Sequence, residues 1–250
     1  MGVFDIAIAH RGLHSKTVSE NSMKAFELAV EKGYNIELDV HRLTDDKIIV
    51  FHDDNVKRMI PTKDIKITEL SSKDIDGEEY LLPDGQHIPY FEDILKMVDG
   101  KVNIVCEIKN LSFTDFRLEK IVIEMIKDKP WIVMEAFNPF SVGYFKKHAP
   151  SIVRGQLSTN IVLKFIPHGF LNWNRILSSL NFTKPNFVAY NIMDLPIKTL
   201  NYQCKKRNMK LVAWTIRTQE DYDKAKEIGV DAVIFENIRP ELSYHPTNQL

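Results

Sequence analysis

Three carboxylates lie inside apolar, strand-like segments of the chain. Glu37 and Asp39 are two residues apart in the run Asn-Ile-Glu-Leu-Asp-Val, and Glu107 lies in the run Ile-Val-Cys-Glu-Ile-Lys. Because successive side chains of a β-strand point to opposite faces, Glu37 and Asp39 share one face. For the same reason Glu107 shares a face with Lys109. Burying such acids is costly unless they are paired or bind a cation, so the pattern indicates a metal site.

The residue types around these acids indicate phosphate chemistry. Three carboxylates supply only oxygen ligands, which suits Mg2+ or Ca2+ rather than Zn2+, for which Cys or His would be expected. Arg11 and Lys109 add positive charge, and together with a divalent ion they indicate an anionic substrate, most simply a phosphate. His10 and His52 can serve as proton donor and acceptor because imidazole titrates near neutral pH.

Composition and charge limit the class of protein. The 250 residues are 44% hydrophobic and 27% charged, which suits a soluble globular chain, and we predict one domain over 1–250. The net charge of -1 does not indicate a bulk basic surface for nucleic acid. Cys106 and Cys204 suggest buried thiols rather than a disulfide framework. Since no segment approaches the ~18 apolar residues of a membrane span, and no leader pattern is present, we expect a cytoplasmic enzyme.

Strand-like segments alternate with helix-like segments along the chain. Alternation of this kind implies parallel strands with crossover helices, and eight such units in about 250 residues close a (β/α)8 TIM barrel. In that fold the active site lies at the carboxyl ends of the strands, where the candidate residues fall. The predicted strands are 5–9, 35–40, 47–51, 102–108, 131–136, 152–155, 186–190, 210–216 and 231–235, and the predicted helices are 22–32, 114–128, 140–148, 197–208 and 219–228.

The segment 47–51 is a ninth strand that needs its own explanation. It follows 35–40 with no room for a helix, so we predict an antiparallel hairpin arm over the barrel mouth. If Asp45 and Asp46 form a two-residue loop, Asp39 lies opposite His52, with Cβ atoms ~5 Å apart. A slip of one residue would move His52 to the other face.

Residues 54–90 differ from the rest in having scattered polar residues and little periodicity. We predict a small insertion after the second strand, lying over the barrel mouth and folded around 65–70 and 80–82. A substrate-capping role and a plain surface loop both remain open. Asp53 and Asp54, at the start of this segment, are interpreted as loop-capping residues.

An ordered set of short motifs resembles the glycerophosphodiester phosphodiesterase family over nearly the whole chain. The motifs are Ala-His-Arg-Gly at 9–12, Glu-Asn-Ser at 20–22, Glu-Leu-Asp-Val at 37–40, Phe-His-Asp-Asp at 51–54, Glu-Ile-Lys at 107–109, Phe-Asn-Pro at 137–139, Ala-Trp-Thr at 213–215 and Gly-Val-Asp at 229–231. The chain departs from the family pattern at Glu135, a possible extra acid, and at 235–238, where Thr-Asp-x-Pro is usual.

The resemblance implies a (β/α)8 barrel with a small insertion, and metal-dependent hydrolysis of glycerophosphodiesters to sn-glycerol 3-phosphate and an alcohol, a reaction of lipid metabolism. It implies one divalent cation, Mg2+ or Ca2+, and a small-molecule substrate. By the resemblance, His10 and His52 are the general acid and base, and the metal ligands are Glu37, Asp39 and Glu107. Arg11 and Lys109 bind the phosphodiester. Glu20 lies near the cation or phosphate, and Trp214 packs against the organic part of the substrate.

Several alternatives remain open at this point. The nucleophile is water or the glycerol 2-hydroxyl, and the alcohol is choline, ethanolamine, glycerol or inositol. A lyase similar to sphingomyelinase D or phosphatidylinositol phospholipase C would stop at a cyclic phosphate. A catalytically silent module would only bind the phosphodiester. Trp214 is also compatible with ordinary barrel packing, and Glu20 with a helix-start acid. The sequence does not determine the oligomeric state.

Overall fold

The computed structural model describes residues 2–159 and 179–247. The strands are β1 Ile8–His10, β2 Asn35–Arg42, β3 Ile48–Val50, β4 Ile104–Ile108, β5 Ile132–Ala136, β6 Arg154–Ser158, β7 Phe187–Asn191, β8 Lys210–Ile216 and β9 Ala232–Phe235. The α-helices are α1 Met23–Lys32, α2 Ser72–Ile75, α3 Phe91–Val98, α4 Arg117–Ile126, α5 Pro139–His148, α6 Lys198–Arg207 and α7 Gln219–Ile228.

The strands pair in the order β1-β9-β8-β7-β6-β5-β4-β2-β3, and β1 also pairs with β2. The ladders β2–β4, β5–β6, β6–β7, β7–β8 and β8–β9 are parallel. The ladder β2–β3 is antiparallel, so β3 is the hairpin arm expected from the sequence. This topology, with helices between the parallel strands, is that of a (β/α)8 barrel. The predicted fold class is confirmed.

The chain divides into two compact units. The first unit is Ala9–Ile132, and the second unit consists of Met1–Ile8 and Val133–Leu250. The first unit contains β2, β3, β4 and the insertion 54–90. Of the residues to which the family resemblance assigns a role, only Trp214 belongs to the second unit.

Helix α1 shows how local sequence sets the boundaries of an element. The Ser22 side chain accepts a hydrogen bond from the Ala25 N–H at the start, and Gly33 ends the helix with a left-handed φ of 78°. Ala25, Phe26 and Ala29 lie on the buried face. The predicted helix 22–32 therefore begins and ends as expected.

Helix α3 is absent from the predicted set, although its signal is present in the sequence. Phe91, Ile94, Leu95 and Val98 are buried, and their spacing is that of one face of a helix. The segment directly follows the polar insertion, and the prediction from sequence assigns it neither a strand nor a helix.

The hairpin register differs from the prediction by one residue. Val40 pairs with Val50, and the Phe51 N–H donates to the Asp39 carbonyl over 3.0 Å, so Phe51 rather than His52 lies opposite Asp39. The reason is the loop, which has three residues. The Leu43 N–H donates to Lys47, and Asp46 adopts a left-handed φ of 65°. Such a residue is typical of a three-residue hairpin loop.

The insertion forms a hydrophobic cluster with the hairpin. Its members from the hairpin are Leu43, Ile49 and Phe51, and its members from the insertion are Val56, Ile60, Ile67, Leu70, Ile75, Tyr80, Leu82 and Ile88. The segments 65–70 and 80–82 thus supply buried residues, as predicted. The position of 54–90 over the barrel mouth stays a prediction.

Gly12 directly follows His10, a predicted catalytic residue, and Arg11, a predicted phosphodiester-binding residue, and it has no room for a side chain. Its φ is +79°, and a Cβ atom would lie 2.8 Å from the carbonyl carbon of Ala25. We expect Gly12→Ala to lower the free energy of unfolding by about 2–4 kcal/mol, measured by urea titration, because backbone strain and overpacking add.

Gly85→Ala is the matched control. Gly85 has a φ of +83° with nothing within 4 Å of an added Cβ, so only the conformational cost of about 1 kcal/mol is expected. Equal decreases in the free energy of unfolding of the two variants would show that close packing at Gly12 does not add to the cost of the substitution.

Candidate active site

Three predicted metal-ligating carboxylates meet across two neighbouring strands of the first unit. Glu37 and Asp39 lie on β2, and Asp39 pairs directly with Glu107 of β4 in the parallel ladder. One oxygen from each carboxylate lies within 4.8 Å of the others, and all three residues are buried. The period-two spacing therefore places the acids together as predicted.

Two predicted phosphate-binding cations border this cluster. The Lys109 ammonium lies 3.0 Å from Asp39 Oδ1 and 2.8 Å from Glu107 Oε1. Arg11 Nε lies 3.5 Å from Asp39 Oδ2, and the Arg11 N–H donates to Glu37 Oε2 over 3.1 Å. The two cationic side chains therefore contact Asp39 and Glu107, and the backbone N–H of Arg11 contacts Glu37. These contacts reduce the cost of burying the three acids.

Asn21 is a site residue that the sequence analysis did not assign. Its side-chain amide donates to Asp39 Oδ2 over 2.8 Å. Its backbone N–H donates to the Arg11 carbonyl over 3.0 Å, and both residues have a positive φ. The motif Glu-Asn-Ser at 20–22 carried the signal, since a short amide side chain tolerates left-handed backbone.

The pKa values of Asp39 and Glu107 are shifted in opposite directions. Burial alone would raise the pKa of Asp39, but the positive charges of Lys109 and Arg11 hold it well below its usual range. Burial raises the pKa of Glu107 to about 7, with a further contribution from the charge of Asp39, although Lys109 opposes the shift. The cluster thus places three buried carboxylates beside two cationic side chains.

A divalent cation fits this arrangement. Mg2+ and Ca2+ bind oxygen ligands at about 2.0–2.6 Å, so oxygens on one ion lie up to about 5 Å apart, which matches the carboxylate cluster. Such an ion would also add positive charge beside three buried carboxylates that only two cationic side chains border. Glu37, Asp39 and Glu107 are the residues that would hold it.

The two histidines predicted to transfer protons lie in the first unit near this cluster. His10 ends β1, with Nε2 3.9 Å from Glu37 Oε2. His52 follows β3, and its Nδ1 lies 2.6 Å from Asp53 Oδ1. His52 lies near enough for its charge to lower the pKa of Asp39, even though the hairpin register differs from the prediction.

A chain of charged side chains connects Arg11 with His52, and the sequence does not predict this connection. Glu20 accepts a hydrogen bond from Arg11 over 2.8 Å and a second from Arg58 over 2.6 Å. Arg58 also donates to Asp53 over 2.6 Å. Asp53, interpreted from the sequence as a loop-capping residue, therefore contacts His52 and Arg58. No short motif predicts a contact between Glu20 and Arg58, because 38 residues separate them.

Two candidates from the sequence lie in the second unit. Trp214 on β8 packs edge-on against Phe137, with ring centroids 5.9 Å apart. Glu135, on β5, is buried and pairs with Gly155 of β6. The substrate contact expected for Trp214 stays a prediction.

Comparison with known proteins establishes the family. The model of the glycerophosphoryl diester phosphodiesterase family matches residues 10–239. The chain belongs to this family. A glycerophosphodiester phosphodiesterase from Caldanaerobacter subterraneus subsp. tengcongensis is 31% identical over 243 residues, which span 92% of this chain and 93% of the relative. The predicted family and the predicted phosphodiesterase class of enzyme are confirmed.

Solved structures of glycerophosphodiester phosphodiesterases and related enzymes share the fold. A phosphodiesterase from Oleispira antarctica, in complex with the product sn-glycerol-3-phosphate, matches with a TM-score of 0.75 and 22% identity, covering 94% of this chain and 95% of that one. The glycerophosphodiester phosphodiesterase from Thermotoga maritima matches with a TM-score of 0.73 and 22% identity, covering 92% and 93%.

Two further expectations from the sequence concern the cysteines and membrane-spanning helices. Cys106 and Cys204 are both buried thiols, as expected. Within 2–159 and 179–247, no helix has the length and apolar character needed to cross a membrane.

Removing one carboxylate should weaken binding of a divalent cation. We expect Asp39→Asn to reduce the affinity for Mg2+ and Ca2+ at least 10–100-fold, because even the loss of a residue that only supports a metal ligand typically costs about that much. Isothermal titration calorimetry measures the affinity. Asp64→Asn, which changes an exposed carboxylate of the same unit, should leave it unchanged. Equal affinities of Asp39→Asn and wild type would contradict the assignment.

Proposed function

We propose that the chain hydrolyses glycerophosphodiesters to sn-glycerol 3-phosphate and an alcohol, in a reaction that depends on Mg2+ or Ca2+. The observation that carries the proposal is the buried cluster of Glu37, Asp39 and Glu107, with ligand oxygens within 4.8 Å and two histidines nearby. Membership of the family supports the substrate class. The relative from Oleispira antarctica, which has the same fold, was solved with sn-glycerol-3-phosphate as its product.

In this proposal Arg11 and Lys109 bind the anionic oxygens of the phosphodiester. Both side chains are mostly buried and lie against the carboxylates, so their positive charge is held in a poorly solvated region where it acts strongly on a phosphoryl group. When bound at the carboxylates, a divalent cation would neutralise charge on the phosphoryl oxygens. Arg11 and Lys109 also orient the diester relative to the imidazoles.

His10 and His52 would transfer the two protons of the reaction. One imidazole accepts a proton from the nucleophile as the new P–O bond forms, and the other donates a proton to the alkoxide as its P–O bond breaks. The nucleophile that gives up its proton is water or the glycerol 2-hydroxyl.

The hydrogen bond at His52 indicates which ring nitrogen is active. Burial alone would raise the pKa of Asp53, but hydrogen bonds from His52 and Arg58 hold it well below its usual range. The Asp53 carboxylate can therefore only accept, so His52 Nδ1 carries a proton and Nε2 is the atom that exchanges one with substrate.

The remaining expectations stay predictions within this proposal. They are the packing of Trp214 against the organic part of the substrate, the capping position of 54–90 and a cytoplasmic location. The headgroup and the choice between Mg2+ and Ca2+ are left to the experiment.

Phosphorus NMR of the reaction products tests the proposal. Wild-type protein is incubated with glycerophosphodiesters of choline, ethanolamine, glycerol and inositol, each with Mg2+, with Ca2+ or with EDTA. Glycerol 3-phosphate that forms only with a divalent cation is the expected product. Cyclic phosphate that persists would favour the lyase alternative, and the absence of turnover with every substrate would favour a binding module.

Substitution of either histidine should abolish most turnover while leaving cation binding intact. We expect His10→Gln and His52→Gln to lower kcat by about 100-fold or more, the usual contribution of a general acid or base. His87→Gln, at an exposed position of the same unit, is the control and should retain wild-type kcat. A variant that loses Mg2+ affinity in parallel with kcat would argue against a proton-transfer role.

A further inference from the structure

Arg58 forms a link between two parts of the candidate active site. Its Nε donates to Asp53 Oδ2 over 2.6 Å, while its two terminal nitrogens donate to Glu20 over 2.6 Å and 3.2 Å. Asp53 contacts the His52 imidazole on one side, and Glu20 contacts the Arg11 guanidinium on the other. One guanidinium thus holds two carboxylates, each of which holds a predicted functional residue.

The backbone near Arg58 is fixed by packing and capping. Arg58 ends a short 3-10 turn, Val56–Arg58, at the start of the insertion. Asn55 caps this turn by accepting from the Lys57 N–H, and Val56 is fully buried in the cluster that joins the insertion to the hairpin. Since the turn is anchored on its apolar side, the guanidinium can reach Glu20 and Asp53 from a defined position.

The geometry differs from that of an ordinary surface ion pair. Isolated exposed pairs contribute little, and the Arg58 side chain is 47% exposed. However, Glu20 is only 16% exposed, accepts from two arginines, and has a pKa that these cations lower although burial alone would raise it. Planar donation to two carboxylates is specific to arginine, because lysine is a point charge.

We propose that Arg58 is a positioning residue that sets the orientation of His52 through Asp53 and keeps Arg11 available for the phosphodiester by sharing Glu20. The proposal rests on the proposed function for the roles of His52 and Arg11. Without Arg58, Asp53 loses the donor that holds it against the imidazole. Glu20 then has only Arg11 as a partner and competes with substrate for that guanidinium.

Steady-state kinetics with double variants test both parts of the proposal, the effect on His52 through Asp53 and the effect on Arg11 through Glu20. We expect Arg58→Gln to lower kcat about 10–100-fold, the usual cost of losing a supporting partner, and to raise KM. Adding Arg58→Gln to Asp53→Asn should lower kcat no further, because Asp53 carries that effect. Adding Glu20→Gln to Arg58→Gln should bring KM back toward the wild-type value, because the competing carboxylate is gone. Arg58→Lys should not restore kcat.

The control is Arg117→Gln, which removes an exposed arginine that holds Asp115 in a comparable fork. It should retain wild-type kcat and KM. Thermal unfolding of every variant separates positioning from loss of fold, and a decrease in kcat that matches the decrease in folded fraction would overturn the proposal. The proposal would also be overturned if kcat and KM of Arg58→Gln were within twofold of wild type. Additive effects of Arg58→Gln and Asp53→Asn on kcat would overturn it as well.

A readout without turnover keeps this proposal separate from the proposed function. Two-bond 1H–15N spectra report which ring nitrogen of His52 carries the proton. Wild type should show the Nδ1–H tautomer, and Arg58→Gln should show a mixture of tautomers. If wild type lacks turnover but the tautomer still differs between wild type and Arg58→Gln in this way, the proposed function fails and the orienting role through Asp53 stands. An unchanged tautomer in Arg58→Gln would refute that role even in an active enzyme.

Discussion

The burial of negative charge on β2 and β4 is the constraint on which the rest of the site depends. A buried carboxylate costs several kcal/mol unless charge and hydrogen bonds compensate it. Here Glu37, Asp39 and Glu107 are buried together, and Lys109 and Arg11 supply the compensation. Burial, together with the nearby charge of Asp39, still raises the pKa of Glu107, and a bound divalent cation would stabilise its charged form.

The backbone after β1 follows from this requirement. Arg11, Gly12 and Asn21 all have positive φ, an uncommon conformation for residues other than glycine. This path directs the Arg11 N–H to Glu37 and its guanidinium toward Asp39, while the Asn21 amide also reaches Asp39. The strained turn is therefore compensated by hydrogen bonds and ion pairs to buried acids, as is common where a fold builds a functional site.

The insertion contributes charge to the candidate site through Arg58. Its apolar side packs on the hairpin, which holds Arg58 where it can donate to Glu20 and Asp53. His52 and Arg11, which are 41 positions apart in the chain, are thereby connected through three charged side chains. The same packing can thus stabilise the hairpin and orient groups that the reaction uses.

The sequence alone determined the fold class and the carboxylate cluster. Alternating segments predict parallel strands, and the period-two spacing of Glu37 and Asp39 predicts a shared face, because both follow from local backbone geometry. Helix α3 was missed although its apolar spacing was present. Only the tertiary structure decided the hairpin register and the contact of Arg58 with Glu20. The register depends on the left-handed φ of Asp46, and the contact joins residues 38 positions apart, so neither follows from local spacing.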